Sequence, residues 1–301
     1  MLARRNKEGN HATASEDPLV NGSSLYTVED FRLLQRYALL DPDRAEAENA
    51  EQAAAIAFAH ALALRALDEE SCAADYADLA SMYLQEACRL AAEYPELGDV
   101  YVAGYKAGVS LGSALCANNL GSLYYMGDLV EQDYSVAADL YCLAAKWGCY
   151  QSLVNLGYIY EYGRCGSVDY NKAYQCYSMA AALDGSSEAL YKMGDCFAHG
   201  YSVACDMDIA MRLWERSYVV GECCEEKSHP ALRLAKQYLN PSTESIAKEM
   251  DPLRALSLFQ KAEIGLRVEV KSGLTYYRKQ LEEAIAGQSE ARARLAELEE
   301  Q

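Results

Sequence analysis

Between residues 113 and 221 apolar and small residues recur at i, i+3, i+4 and i+7, the stripe of a helix that buries one face. A first stripe reads Ala117, Leu120, Gly121, Tyr124, then Leu153, Leu156, Gly157, Tyr160, then Leu190, Met193, Gly194, Phe197. A second follows each of these: Ala137, Leu140, Tyr141, Ala144, then Ala173, Cys176, Tyr177, Ala180, then Ala210, Leu213, Trp214, Ser217. Small residues alternate with large ones, so two such helices can approach closely and interlock. The pattern predicts a helical hairpin written three times over.

The copies keep a period. Gly121, Gly157 and Gly194 are spaced by 36 and 37 residues, as are Gly127, Gly163 and Gly200, Asp133, Asp169 and Asp206, Ala137, Ala173 and Ala210, and the rings Tyr141, Tyr177 and Trp214. Each has a physical use. A glycine inside a helix costs about 1 kcal/mol of propensity, so the first set is expected where a neighbouring backbone needs the space. The second set suits a left-handed helix end, and the aspartates suit caps for free backbone donors. Gly148, Gly185 and Gly221 are expected to end the second helices.

The period reaches beyond the region that defines it. A step of 36 back from Tyr141 and Gly148 lands on Tyr105 and Gly112. This predicts a second helix over 98–111, preceded by a long first helix over 71–94 that Pro95 ends. A step of 45 forward from Asp206, Ala210, Trp214 and Ser217 gives Asp251, Ala255, Phe259 and Ala262, with Pro252 at the favoured first helical position. A fourth repeat is expected over 229–266. Upstream, Thr27-Val28-Glu29-Asp30 resembles a capped helix start, and helices near 28–40 and 43–68 would close the open end of a stack.

The resulting organisation is all-α: a right-handed α/α superhelical solenoid of helix-hairpin repeats with helical caps. It divides into a disordered segment (1–25), an acidic helical N-terminal cap (26–80), a degenerate repeat (81–112), three clear repeats (113–221), a divergent repeat with extended loops (222–271) and C-terminal capping helices (272–301). In the last of these Leu281, Ile285, Leu295 and Leu298 supply the apolar side.

Charge narrows the partners. The chain carries −18 over 301 residues, and residues 41–100 alone hold 14 acidic against 3 basic side chains. Without clustered Lys and Arg to displace counterions, nucleic acid is not expected as a ligand. The start of the chain is polar, no apolar run is long enough to span a bilayer, and His60 and Arg65 interrupt the apolar stretch 53–67. A cytoplasmic location without membrane insertion is expected. Eleven cysteines show no Cys-x-x-Cys pair and no metal-ligand spacing, so they are expected to be reduced and buried as small apolar residues.

The segments Asn119-Leu120-Gly121-x-x-Tyr124-x-x-Gly127 and Asn155-Leu156-Gly157-x-x-Tyr160-x-x-Gly163 resemble the Sel-one-like repeat, a relative of the tetratricopeptide repeat. So does Lys172-Ala173-x-x-x-Tyr177-x-x-Ala180-Ala181, which is similar to that family's second helix. Lys192-Met193-Gly194 lacks the asparagine, and Arg233-Leu234-Ala235 lacks the glycine as well. The resemblance implies a non-catalytic adaptor that holds a protein or peptide on a concave superhelix, with no cofactor.

Three clusters bear on chemistry. Gly108-Val109-Ser110-Leu111-Gly112 has the form of a nucleophile elbow, but the periodicity places Ser110 at a helix end rather than on a strand-to-helix turn. Cys223, Cys224 and His229 fall in a lengthened joint, expected to be an exposed loop, and offer an alternative reading as a metal or redox site. The expected partner groove follows from positions on the first helices that avoid the buried stripe. These are Asn119, Ser122 and Met126, then Asn155, Tyr158 and Tyr162, then Lys192, Asp195 and His199, then Arg233, Lys236 and Asn240. Amides could clamp a peptide backbone, tyrosines give amphipathic contact, and the basic end could take an acidic group.

Overall fold

The apolar stripes fold as helices: the computed structural model describes residues 25–68, 84, 86–242 and 249–299, and these contain helices and turns but no strand. They divide into two units, Met1–Gly148 and Cys149–Gln301. The expected disorder of 1–25, the start of the helix expected over 71–94 and part of the loop before Asp251 lie outside the described residues.

The first unit opens with α1 (Val28–Ala38), held by a capping box in which Thr27 and Asp30 each accept the other's backbone amide. Next comes α2 (Ala50–Leu67), shorter than the helix expected from 43. The amides of Arg44 and Ala45 turn back onto the Asp41 carbonyl, and the Asn49 side chain accepts from Gln52 N at 2.8 Å, so the helix starts there. Residues 86–93 form α3, followed by α4 (Gly98–Ser110), which buries Val100, Tyr101, Ala103, Tyr105 and Ala107. Helices α1 and α2 pack on α4: Lys106 pairs with Asp30 at 3.2 Å, and the Tyr101 hydroxyl donates to the Ala55 carbonyl at 3.4 Å. His60 bonds the Tyr37 carbonyl through Nδ1 at 2.6 Å, a satisfied histidine between two packed helices. The Ser110 hydroxyl donates to Ala107 O within its own helix at 2.7 Å, so no nucleophile elbow forms. The unit ends with the hairpin of α5 (Ala114–Met126) and α6 (Tyr134–Lys146).

The second unit stacks α7 (Gln151–Glu161), α8 (Tyr170–Asp184), α9 (Ser187–His199), α10 (Met207–Val220), α11 (Cys224–Leu239), α12 (Pro252–Lys271) and α13 (Arg278–Glu299). The rule that builds its hairpins also builds α5–α6. At the start of each second helix the aspartate accepts backbone amides: Asp133 from Ser135 and Val136, Asp169 from Lys172, Asp206 from Ile209, Asp251 from Arg254, all at 2.8–3.0 Å. The amide of that aspartate donates across the hairpin to the carbonyl of Tyr124, Tyr160, Phe197 or Tyr238, at 2.8–2.9 Å. Gly127, Gly163 and Gly200 sit at φ of 78°, 61° and 71°, as a left-handed helix end requires. Gly221 ends α10 as expected, at φ −56°.

The mid-helix glycines make room for rings more than for backbone. A Cβ on Gly121 would lie 2.9 Å from the Tyr141 ring and one on Gly194 2.5 Å from Trp214, while one on Gly157 would enter the Tyr177 ring. The fourth hairpin has Ala235 in place of the glycine, and its ring, Phe259, is seated against Gly287 of α13 instead. This explains how α13 docks. Its buried face is Ala284, Gly287, Gln288 and Ala291; of the expected apolar side Leu281 packs against the core, while Ile285 and Leu298 are 40% and 50% exposed. A large side chain at 287 would displace Phe259 from the core.

The joint carrying Cys223, Cys224 and His229 is likewise not a loop. Helix α11 begins at Cys224, five residues before the expected start, with Cys223 as its N-cap residue. Pro230 lies inside it and cannot bond the Glu226 carbonyl; the Ser187 hydroxyl donates to that carbonyl instead, at 3.4 Å. Of the described cysteines, Cys116, Cys176 and Cys196 are buried as expected, but Cys165, Cys205 and Cys223 are exposed. Burial pushes the Cys116 and Cys196 thiols up to about 12.

Candidate partner-binding face

Helix periodicity puts the groove residues on one side of each first helix, but their environments differ. On α5, Asn119 is buried, its Oδ1 accepting from Asn118 Nδ2 at 3.4 Å. Ser122 bonds the Tyr141 hydroxyl at 3.2 Å and its own helix at Asn118 O, while Met126 is 48% exposed. This part of the strip is neutral.

In the second unit the strip stitches first helix to first helix. The Tyr158 hydroxyl on α7 donates to Glu188 at 2.6 Å and meets the Tyr191 hydroxyl on α9 at 2.8 Å. Lys192, expected at an open position, is 5% exposed and pairs with Glu161 of α7 at 2.6 Å. Arg233 on α11 grips both oxygens of Asp195 on α9, and Trp214 Nε1 donates to the same carboxylate at 3.0 Å. Lys236 pairs with Glu283 of α13 at 2.6 Å, and Asn240 Nδ2 donates to Glu290 at 3.3 Å. Asn155, on α7, is partly buried. The two basic residues expected to receive an acidic partner are therefore already neutralised within the chain.

Aromatic rings complete the network. Lys192 Nζ lies 5.0, 5.7 and 5.8 Å from the ring centres of Tyr158, Tyr177 and Tyr162. The Arg233 guanidinium lies 4.8 Å above the Tyr191 ring. A desolvated cation over a ring is worth up to about 2 kcal/mol, on top of the ion pair. Burial drives the phenols of Tyr158, Tyr177 and Tyr191 well above the ordinary tyrosine range, so these rings stay neutral. Tyr162 is the exception to burial: it is 54% exposed, yet it stacks on Tyr158 with centres 6.1 Å apart and planes within 6°. Beyond it, exposed His199 bonds the Asp195 carbonyl at 2.8 Å and stacks on Tyr201, which stacks on Tyr170 with centres 4.1 Å apart.

A second set of contacts, missed in the sequence reading, surrounds His229. Its Nε2 is 3.0 Å from Glu269 and its Nδ1 2.9 Å from Gln280, with Tyr191 and Tyr277 against the ring at 5.3 and 4.5 Å. Both ring nitrogens are thus engaged, and the Cys224 thiol donates to Glu225 at 3.0 Å. Among the described residues no three His, Cys, Asp or Glu side chains converge as a metal site would require. Nor, among them, is any helix long and apolar enough to cross a membrane.

Comparison with known proteins agrees with this architecture. The family model described as Sel1 repeat matches residues 114–148, 151–185, 187–218 and 231–263. The crystal structure of a Sel1 repeat protein from Oxalobacter formigenes is similar at 18% identity and a TM-score of 0.51, over 82% of this chain and 88% of that one. The crystal structure of c5321, a protective antigen present in uropathogenic Escherichia coli strains displaying an SLR fold, aligns at 20% identity and a TM-score of 0.47. That alignment covers 88% of this chain and 61% of the other. No curated protein matches. The first structure bears on the fold alone; the four matched segments coincide with the four Asp-capped hairpins. With hairpin and aspartate cap recurring in all four segments and the ring-seating glycine in three of them, the chain carries four Sel1 repeats.

Proposed function

We propose that this chain is a non-catalytic scaffold whose first-helix face holds a protein or peptide partner. Sel1 repeats generally serve protein–protein association, and an acidic protein with a charge of −18 is poorly suited to nucleic acid. One observation carries the reading: Tyr162 is more than half exposed, yet held by a parallel stack on Tyr158 and flanked by Lys192 and by Arg164, 5.7 Å from its ring. A large amphipathic ring fixed before binding loses little entropy on contact, which is the character of an interface anchor. His199 on α9 offers further exposed contact on the same type of helix face.

The test is direct. A photo-crosslinking residue at His199, exposed on α9, is expected to capture the partner that co-purifies from native cells, and one at Leu183, 53% exposed on α8, is not. Tyr162→Ala is expected to reduce capture at least tenfold with helicity unchanged. Undiminished capture by Tyr162→Ala would remove this face from the proposal. Charge reversal at Arg233 or Lys236 is a poor test, because it sets like charges against Asp195 and Glu283.

A further inference from the structure

We propose that Tyr158, Tyr162, Tyr177 and Glu161 form a binding box for an ammonium group, occupied in cis by Lys192, and that this occupancy fixes Tyr162 on the partner face.

The box has walls, a floor and an anion. Tyr158 and Tyr162 lie parallel, Tyr177 meets Tyr158 edge-on at 75°, and all three ring centres fall within 5.8 Å of Lys192 Nζ. Glu161 supplies the counter-charge, with Oε1 on Lys192 at 2.6 Å and Oε2 accepting from the Tyr177 hydroxyl at 2.5 Å. The floor ring is fully buried and seated on Gly157, so the repeat's own glycine–ring rule builds it. Electron-rich rings around a carboxylate-paired cation are the chemistry that selects primary and methylated ammonium groups.

The next repeat carries the same plan with a different cation. Arg233 occupies on α11 the place that Lys192 occupies on α9. It pairs with Asp195, which also accepts from the floor ring Trp214, and it lies over Tyr191. In both repeats a cation from the following first helix lies beside a floor ring whose polar atom shares its carboxylate. Only the box at Lys192 borders a half-exposed ring, so only there does the cation set the position of a surface residue.

The inference rests on the scaffold reading only for the significance of Tyr162; the box itself is read without a partner. A fluorinated tyrosine at 162 reports ring order by its NMR signal. In Lys192→Ala that signal is expected to shift and broaden, millimolar methylammonium is expected to restore it, and methanol, a neutral group of similar size, is not. An unchanged signal in Lys192→Ala, or equal restoration by methanol, would overturn the proposal. Should Lys192→Ala fail to fold, the wild-type protein decides. The ε-methylene protons of Lys192, assigned by their loss in Lys192→Arg, are expected far upfield from the currents of three rings, and an ordinary shift refutes the box. If Lys192→Ala disorders the ring while Tyr162→Ala leaves partner capture intact, the box stands and the scaffold face falls.

Discussion

The hairpin α5–α6 and the hairpins of the second unit obey one backbone rule but spend their first-helix faces differently. On α5 the face is neutral: a buried amide, a serine bonded to its own hairpin's tyrosine, and an exposed methionine. On α9 and α11 the same positions carry charges that cross to a neighbouring helix and are neutralised there, while on α7 they carry tyrosines that frame the Lys192–Glu161 pair. The glycine, ring and aspartate positions fix each hairpin internally, whereas the face positions are free to specify how one hairpin meets the next. In the second unit they do so with buried ion pairs, which leave few unpaired charges to recruit a partner and put the weight of recognition on rings.

The sharpest way to break this contrast is to remove one buried cation. Arg233→Met leaves Asp195 paired only with Trp214, and loss of one member of a buried pair costs about 3–5 kcal/mol; Ser122→Ala on the neutral face is expected to cost about 1 kcal/mol. Chemical denaturation of the two variants measures the difference. Somewhat smaller is Gly265→Ala, whose Cβ would run into the Cys224 carbonyl and force α11 and α12 apart. About 2 kcal/mol is expected, against the gain that alanine normally brings to a helix. Asp133→Ala and Asp206→Ala are each expected to cost about 1 kcal/mol, equally in both units, because the cap is part of the shared rule. Lys236→Gln should cost less than about 1 kcal/mol, since its pair with Glu283 is solvent-exposed.

Thiol chemistry gives a finer probe. The raised thiols of Cys116 and Cys196 remain protonated at pH 8, and the thiolate is the reactive form. Alkylation at that pH is expected to take Cys165, Cys205 and Cys223 first, with Cys116 and Cys196 reacting only as their units open.

Periodicity made the hairpins legible because each repeating residue has a local job. An aspartate caps the helix it precedes, and a glycine admits the ring some 20 residues ahead, so spacing alone reveals both. The fourth hairpin stayed visible through Asp251 and Phe259 although its glycine was gone. What stayed hidden depends on contacts between helices far apart in sequence. Nothing in the spelling of Lys192 tells that it is buried, because its partner Glu161 lies 31 residues earlier in a loop-proximal position. The start of α11 was missed because Pro230 argues locally against a helix, and the Ser187 hydroxyl that relieves the penalty comes from another repeat. The seat of Phe259 was missed for the same reason.

That seat sets where the array can change length. Each earlier ring is housed within its own hairpin, so a hairpin can be duplicated or deleted together with its housing. The last ring is housed by α13, which makes α12 and α13 a single inseparable terminus. New units can enter ahead of α11; any inserted between α12 and α13 would have to bring a replacement for Gly287.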